Sequence, residues 1–469
     1  MVLTMPATVL VLGAGMSGLA AAHELSKWGC EVHVFEARGR AGGRVQTLTA
    51  PFADGMYADA GAMSFPDNHL TVLHYVREFD LPVDVDHKGG DQVFTLNRRR
   101  VILNGGPEDW PVKLTPEEKK LGYNGIYEKY LGAPAKALGD ITRAGWPYDG
   151  LSDPVRLREL DNFSVTGFLQ SQGASEGAIE LLSLGLMDFY GEGFDSCSAL
   201  FILISDVVAG GFSNVFRVRG GQEELPKRIA DRLNPAIHYG SAVTDIEATG
   251  TGVTIRFNRN GVAHTHCADY LVCAIPFPLL REIRVMPAFS PEKAAVIQNL
   301  QNTSVTRVYV QTASRVWEAG KLPGDGSSTL PVSLVFPGYT RPLIRGIIES
   351  YSAGPRAREL AQMAEDQRNT LIVRKLTELF RGLDKVAESC VTKVWDEDPW
   401  ARGAYAWYRP GTFLKYFANV ATAEGRIHFA GDQTTLMPGW MEGALQSGIR
   451  AAQEIHTAEC GKASAAGAA

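Results

Sequence analysis

The chain has 469 residues, 45% apolar and 21% charged, the composition of a globular protein with room for two or three domains. Its formal net charge of −6 lacks the basic excess that a nucleic-acid-binding surface needs. No apolar run reaches the roughly 18 to 20 residues of a membrane span, so neither nucleic acid nor membrane is an expected partner.

The opening "MVLTMPATVLVLGAG" does not read as a signal peptide, because its apolar run leads straight into a glycine turn that cleavage would destroy. Cys30, Cys197, Cys267, Cys273, Cys390 and Cys460 are scattered without CxxC spacing. That pattern implies thiols in a reducing compartment, no structural zinc or other metal, and a cytoplasmic location. There is no internal repeat, and the Ala/Gly/Ser tail "GKASAAGAA" is expected to fray.

"TVLVL" is a short β-branched run, the pattern of a strand buried on both faces of a parallel sheet. "GAGMSG" follows at once, "MSGLAAAHELSKW" has helical spacing, and Gly29 is placed to end that helix. "EVHVFE" then resumes strand alternation. A lone G-x-G-x-x-G carries little weight, but here it sits in the βαβ context that a dinucleotide requires. Gly13 permits the tight turn, Gly15 lets the backbone approach a pyrophosphate, and Gly18 lets helix and strand pack closely. The amides at Met16 and Ser17 open the helix, whose N-terminus offers free N–H groups and a positive dipole end. Glu36 ends the second strand and can accept from ribose hydroxyls, while its charge disfavours a 2′-phosphate.

Further on, "DQVFTL" and "NRRRVILNG" read as an exposed hairpin rather than an anion site, despite the charge run. "LTPEEKKLGYNGIYEKYLG" has amphipathic helical spacing with a Thr115-Pro116 start, a scaffold helix. The closing "GRIHFAGDQTTLMPGWMEGALQSGIRAAQEI", residues 425–455, is a strand, a Gly-Asp turn, a loop and a helix.

NAD and FAD share the first motif, and "EARGRAGGR", residues 36–44, separates them. Glu36, Ala37, Arg38 and the Gly42-Gly43-Arg44 run resemble the flavin-containing amine oxidases of the monoamine oxidase and L-amino acid oxidase type. In that family the glycine pair lets the chain pass the pyrophosphate and the arginine supports the flavin-side loop. The closing segment is similar to the family's second cofactor motif, with Gly431 and Asp432 at the ribityl and phosphate region. Trp440 and Met441 match the start of the helix that points at the flavin, where a positive dipole end stabilises a reduced, anionic ring. The resemblance implies FAD, bound noncovalently, because Ala404 stands where monoamine oxidases carry the flavin-bonded cysteine. It also implies that Gly61, Ala62, Met63 and Ser64 pass beside the flavin, that Val243 meets the adenine through its backbone, and that Trp395 packs near the ring.

The implied fold class is α/β, α+β overall: a Rossmann-like FAD-binding domain of the glutathione-reductase and amine-oxidase type, with a mixed-sheet substrate domain and a helical subdomain. The FAD-binding domain is expected to be discontinuous, over residues 1–80, 210–285 and 390–469. The substrate-binding domain takes 81–114 and 286–389, and the helical subdomain 115–209. "FRVRGGQEELPKRIADRL" is similar to the family's strand-turn-helix entry, and "YLVCAIP" to the strand that returns to the FAD domain.

The resemblance implies oxidative deamination of an L-amino acid, with hydride passing from the α-carbon to flavin N5 and dioxygen becoming hydrogen peroxide. The imino product would hydrolyse to a keto acid and ammonia. Tyr405 and Trp440 match an aromatic pair flanking the substrate nitrogen, whose apolar walls favour the neutral amine and aim its C–H bond. Arg307, Tyr405 and Trp440 are the expected catalytic residues, and Ser64, Tyr351, Tyr405 and Trp440 the expected substrate contacts. Two positions depart from the pattern. Ser64 replaces an arginine that would grip the substrate carboxylate bidentately, although the carboxylate-binding tyrosine is matched by Tyr351. Arg307 replaces a lysine hydrogen-bonded through water to N5, a change that could alter oxygen reactivity, bind substrate, or divert the reduced flavin. The alternatives are therefore an oxidase of an amine or a carboxyl-masked amino acid, a decarboxylating amino acid monooxygenase, and a flavin-binding protein without catalysis. A homodimer is expected.

Overall fold

A computed structural model describes residues 7–467, except 87–91, 98, 104–108, 144, 190, 211–212, 319–321 and 339–343. The run Thr8–Leu12 is the central strand of a five-stranded sheet. The order is Ile237–His238, Glu31–Phe35, Thr8–Leu12, Tyr270–Cys273, Ile427–Phe429, and every neighbouring pair is parallel. Val9 and Val11 join one core cluster with Leu19 and Leu445, while Leu10 and Leu12 join another with Phe35 and Leu271. Cover on both faces is why the strand reads as continuous apolar sequence.

Helix Met16–Lys27 ends in a left-handed Gly29 with φ +84°. Cys30 N donates to Leu25 O at 3.1 Å, closing the helix end. The terminal helix packs across it at Gly448, where a Cβ would lie 2.2 Å from Ser17 O. That helix spans Met441–Gly467 and so continues through most of the tail expected to fray. Alanine has the highest helix propensity, and a helix already docked extends at little cost; residues 468–469 lie outside the described residues.

Strands Val262–Ala268, Val253–Arg259 and Ser241–Ala248 form an antiparallel meander, with Arg284–Met286 added in parallel. The strand of "FRVRGG", Val215–Val218, pairs with Phe65–Pro66 and Val83–Asp86 rather than with the parallel sheet.

A mixed seven-stranded sheet runs Ala387–Val394, Val305–Thr312, Gly346–Ala353, Leu334–Pro337, Gly326–Ser328, Gln92–Leu96, Arg99–Leu103. Its last two strands are the antiparallel hairpin, with Arg99 and Arg100 exposed. Residues 91, 98 and 104–105 of that reading lie outside the described residues. Strand Ala387–Val394 belongs wholly to this sheet, so a domain boundary at residue 390 would cut through it.

Among the helices of 115–209, Pro116–Tyr127 starts in a reciprocal cap: Glu118 N donates to Thr115 Oγ1 at 3.2 Å, and Thr115 N to Glu118 Oε2 at 2.8 Å. Gly122, at φ +63°, kinks it. Among the described residues, no helix is long and apolar enough to cross a membrane.

Candidate active site

The two glycine motifs meet at the carboxyl end of the parallel sheet, the usual position of a nucleotide crevice. Gly13, at φ +96°, donates its N–H to Phe35 O at 2.8 Å, locking the turn to the second strand. A side chain at Gly18 would put a Cβ 1.9 Å from Gly13 O, so this glycine serves packing. Gly42 and Gly43, at φ +101° and +56°, fold the second loop over the first: Gly42 N donates to Ala14 O at 2.8 Å, and a Cβ on Gly43 would lie 3.2 Å from Gly15 Cα. The helix starting at Met16 has no side-chain cap at its N-cap Gly15, so its first amides are left for an anion. Glu36 is buried, and its two oxygens accept from Ala14 N and Arg38 N, each at 2.8 Å. A carboxylate so held keeps lone pairs for ribose hydroxyls.

A continuous cavity of about 770 Å³ runs from this cradle into the protein. Gly13, Gly15, Met16, Ser17, Glu36, Ala37, Arg38, Gly42, Gly43 and Arg44 line it, as do Gly61, Ala62, Met63, Ser64, Val243, Trp395, Gly431, Asp432, Trp440 and Met441. Arg307, Tyr351 and Tyr405 line it too. Of the residues singled out from sequence, Gly18 alone does not, being buried behind the turn.

Arg44 ties the wall together. Its guanidinium donates to both Asp432 oxygens, at 3.3 Å for Nη1 and closer for Nη2, and to Ala404 O. Asp432 Oδ2 in turn accepts from Gly439 N at 2.7 Å, fixing the loop that carries Trp440. Gly61 passes so close that a Cβ would lie 1.6 Å from Arg44 O. Trp395 Nε1 donates to Ala60 O at 2.8 Å, holding that same loop from the other side.

The far part of the cavity wall is built on the seven-stranded sheet. Arg307 and Tyr351 are register partners on adjacent strands. The Tyr351 and Tyr405 hydroxyls are 2.9 Å apart. Gly439, at φ +85°, faces the Tyr405 ring, where a Cβ would lie 3.0 Å from its Cγ. Glycine is thus required for Tyr405 to sit against the loop bearing Trp440.

Arg307 is buried and compensated. Its Nη1 donates to Asp59 O at 2.9 Å and pairs with Glu349 at 3.2 Å, and its guanidinium lies 4.8 Å from the Tyr351 ring centroid. Burial pulls its pKa down, but Glu349, then Tyr309 and Tyr351, outweigh this and raise it. Its Nε has no hydrogen-bond partner among the described residues. An orphaned buried donor on a cavity wall, together with the uncapped helix and the glycine cradle, fits a dinucleotide with a polar ring system.

Sequence reasoning missed several residues here. Arg40 donates to Gly43 O at 2.8 Å and Val45 O at 3.1 Å, staking down the glycine loop; its place in "ARGRAGGR" could have flagged it. His69 is buried edge-on to Trp440, ring centroids 5.0 Å apart, with neither ring nitrogen hydrogen-bonded among the described residues. Burial, opposed by Glu442, lowers its pKa to about 4. Asp59 is buried and raised to about 6 by desolvation, while its Oδ1 accepts from Thr47 Oγ1 and Gln222 N. Glu349 lies on the strand beside Arg307, and nothing local in "GIIESYSAG" predicts that diagonal pair.

Comparison with known proteins agrees with this geometry. The family model for flavin containing amine oxidoreductases matches residues 16–456. YobN of Bacillus subtilis, whose name assigns it provisionally as an L-amino-acid oxidase, is 28% identical over 466 residues, 96% of this chain and 95% of its own length. An L-amino-acid oxidase of Bothrops moojeni is 26% identical over 472 residues, 97% of this chain and 90% of its own. Among solved structures, putrescine oxidase bound to putrescine superposes with a TM-score of 0.82 at 23% identity, over 97% of this chain and 99% of that one.

Proposed function

Because this chain belongs to the flavin-containing amine oxidoreductase family and is an oxidoreductase acting on CH–NH2 groups with FAD as cofactor, we propose that its substrate is an L-amino acid. The observation that carries this reading is the Tyr351–Tyr405 hydroxyl pair at 2.9 Å in the cavity wall. Phenolic hydroxyls on the cavity wall are groups that can donate to a carboxylate oxygen. The similarity to L-amino-acid oxidases over nearly the whole chain supports the same choice.

In this proposal the cradle of Gly13, Gly15, Met16 and Ser17 holds the pyrophosphate, Glu36 the ribose, and Val243 the adenine. Gly42, Gly43, Arg44, Gly431 and Asp432 hold the middle of the cofactor, and Gly61–Ser64, Trp395 and Met441 its ring end. When bound, FAD supplies the hydride acceptor and passes the electron pair on to dioxygen, yielding hydrogen peroxide. The protein's task is then to present a neutral amine. Tyr405 and Trp440 desolvate the ammonium and favour its deprotonated form, and they limit the angles from which the α-carbon can approach. Ser64 donates one hydrogen bond to the carboxylate, without the charge an arginine would add. Arg307, neutralised by Glu349, is proposed to act as a fixed hydrogen-bond donor at the ring end rather than as a carboxylate clamp.

Ser64 also favours a second reading, an amine without a carboxylate as substrate. Anaerobic mixing of the yellow protein with L-amino acids and with the amines lacking their carboxylates tests the choice. Bleaching by amino acids supports the first reading; bleaching by amines alone replaces it with the second. We also propose the three-part division of the chain into cofactor, substrate and helical units, and a homodimer.

A further inference from the structure

We propose that Asp206 sets substrate specificity by receiving a second cationic group, an ammonium or guanidinium, at the end of the substrate far from the oxidised carbon. This rests on the amine-oxidising reading above.

Eight charged residues line the cavity: Glu36, Arg38, Arg44, Asp206, Glu282, Arg307, Arg402 and Asp432. Seven have counter-charges. Arg38 pairs with Asp398 at 2.5 Å and lies 3.7 Å from Glu36, Arg44 pairs with Asp432, Arg307 with Glu349, and Arg402 with Glu282. Asp206 has no ion-pair partner among the described residues; the hydroxyl of Tyr127 donates to it. Among the described residues it is therefore the one charge lining this cavity that a ligand would balance.

Its position has no stabilising explanation within the helix. Asp206 occupies the last turn of Ala199–Ala209, whose residues from Ala199 to Ile204 are all buried and apolar. A carboxylate near a helix C-terminus faces the negative end of the dipole. Burial raises its pKa to about 6, the cost of holding the charge in poorly solvated surroundings.

The neighbouring groups are all acceptors from a ligand's standpoint. Tyr127 spends its proton on Asp206, and Ser205 donates its own to Phe201 O at 2.8 Å. Both line the cavity. A carboxylate flanked by two oxygens with free lone pairs suits the several N–H donors of an ammonium or guanidinium. Tyr127, Ser205 and Asp206 belong to the helical region, which supplies none of the residues proposed to clasp the dinucleotide.

Anaerobic flavin reduction of the holoenzyme at pH 8 tests this with length-matched pairs: L-lysine against L-norleucine, L-arginine against L-citrulline, and 1,5-diaminopentane against pentylamine. The cationic member should be favoured in kcat/KM by about 10- to 100-fold, the range of a charge-assisted hydrogen bond. In Asp206→Asn that ratio should collapse towards one. Equal or reversed preference in the wild type overturns the proposal, as does an unchanged ratio in a variant with the normal flavin spectrum. If the variant loses flavin, calorimetric titration of the wild type with 5-guanidinopentanoate and heptanoate decides. Tighter binding of the guanidinium compound at pH 8, lost at pH 5, supports the proposal, and equal affinities overturn it. Reduction by L-phenylalanine but by no cationic compound removes this subsite and leaves the amine-oxidising reading intact. Reduction by nothing in the set overturns both.

Discussion

Arg44 and Asp432, 388 residues apart in the chain, form a two-pronged ion pair in the cavity wall. Asp432 is buried and Arg44 about a quarter exposed, so the pair is only partly screened by water. It joins the glycine loop after the second strand to the loop that carries Trp440. Removing one partner leaves the other poorly solvated and unties both loops. Arg44→Met should raise the dissociation constant for FAD by about 30- to 300-fold, or roughly 2 to 3.5 kcal/mol. Flavin fluorescence titration of the apoprotein measures this, and unchanged affinity would exclude the pair from cofactor retention.

Ala404 offers no thiol beside Tyr405. Acid precipitation of the holoprotein should therefore release all of the yellow colour into the supernatant as intact FAD. Flavin remaining in the pellet after washing would show a covalent bond at some other residue.

Under the proposed reading, the Tyr351 hydroxyl would contribute one hydrogen bond to the substrate carboxylate, about 1.5 to 3 kcal/mol. Tyr351→Phe should raise KM for L-amino acids by about 10- to 100-fold. The amines that lack the carboxylate should be affected less than the matching amino acids. Equal losses for both classes would mean that this hydroxyl does not read a carboxylate.

Ser64 stands beside Met63 at the cavity wall, where an arginine would bring a planar pair of donors. Ser64→Arg should lower KM for simple L-amino acids by about tenfold or more. A KM that stays level or rises would place the substrate carboxylate elsewhere, or show that the substrate has none.

His69 links stability to pH. Its folded-state pKa of about 4 lies below the ordinary imidazole value of 6.5, burial being the larger cause and Glu442 opposing it. The unfolded chain therefore binds the proton first. The stability this neutral ring contributes is complete above pH 6.5 and is lost as pH falls towards 4, by roughly 3 kcal/mol in all. His69→Phe should flatten the melting temperature over that interval relative to wild type. Because His69 lies against Trp440, flavin reduction in the variant should also slow as the tryptophan loses its edge-on support. Parallel melting curves for the two proteins would contradict the buried neutral imidazole.

Local sequence determined the parts of this molecule whose physics is local. The turn at Gly13, the helix stop at Gly29, the uncapped N-terminus at Met16 and the acid at Glu36 each follow from backbone freedom, dipoles and strand alternation within a few residues. Motif resemblance extended this to Gly42–Arg44, Gly431–Asp432 and the aromatic residues, since these spacings are carried by short segments. Tertiary structure alone decided how the charges pair. Glu349 compensates Arg307 because two strands from different parts of the chain align in one register. His69 meets Trp440 because two distant segments pack together, and Asp206 stays unpaired among the described residues because its helix turns a single acid towards a cavity built by others. Burial and counter-charge depend on neighbours that sequence does not place side by side, and they govern the protonation of the groups in this site.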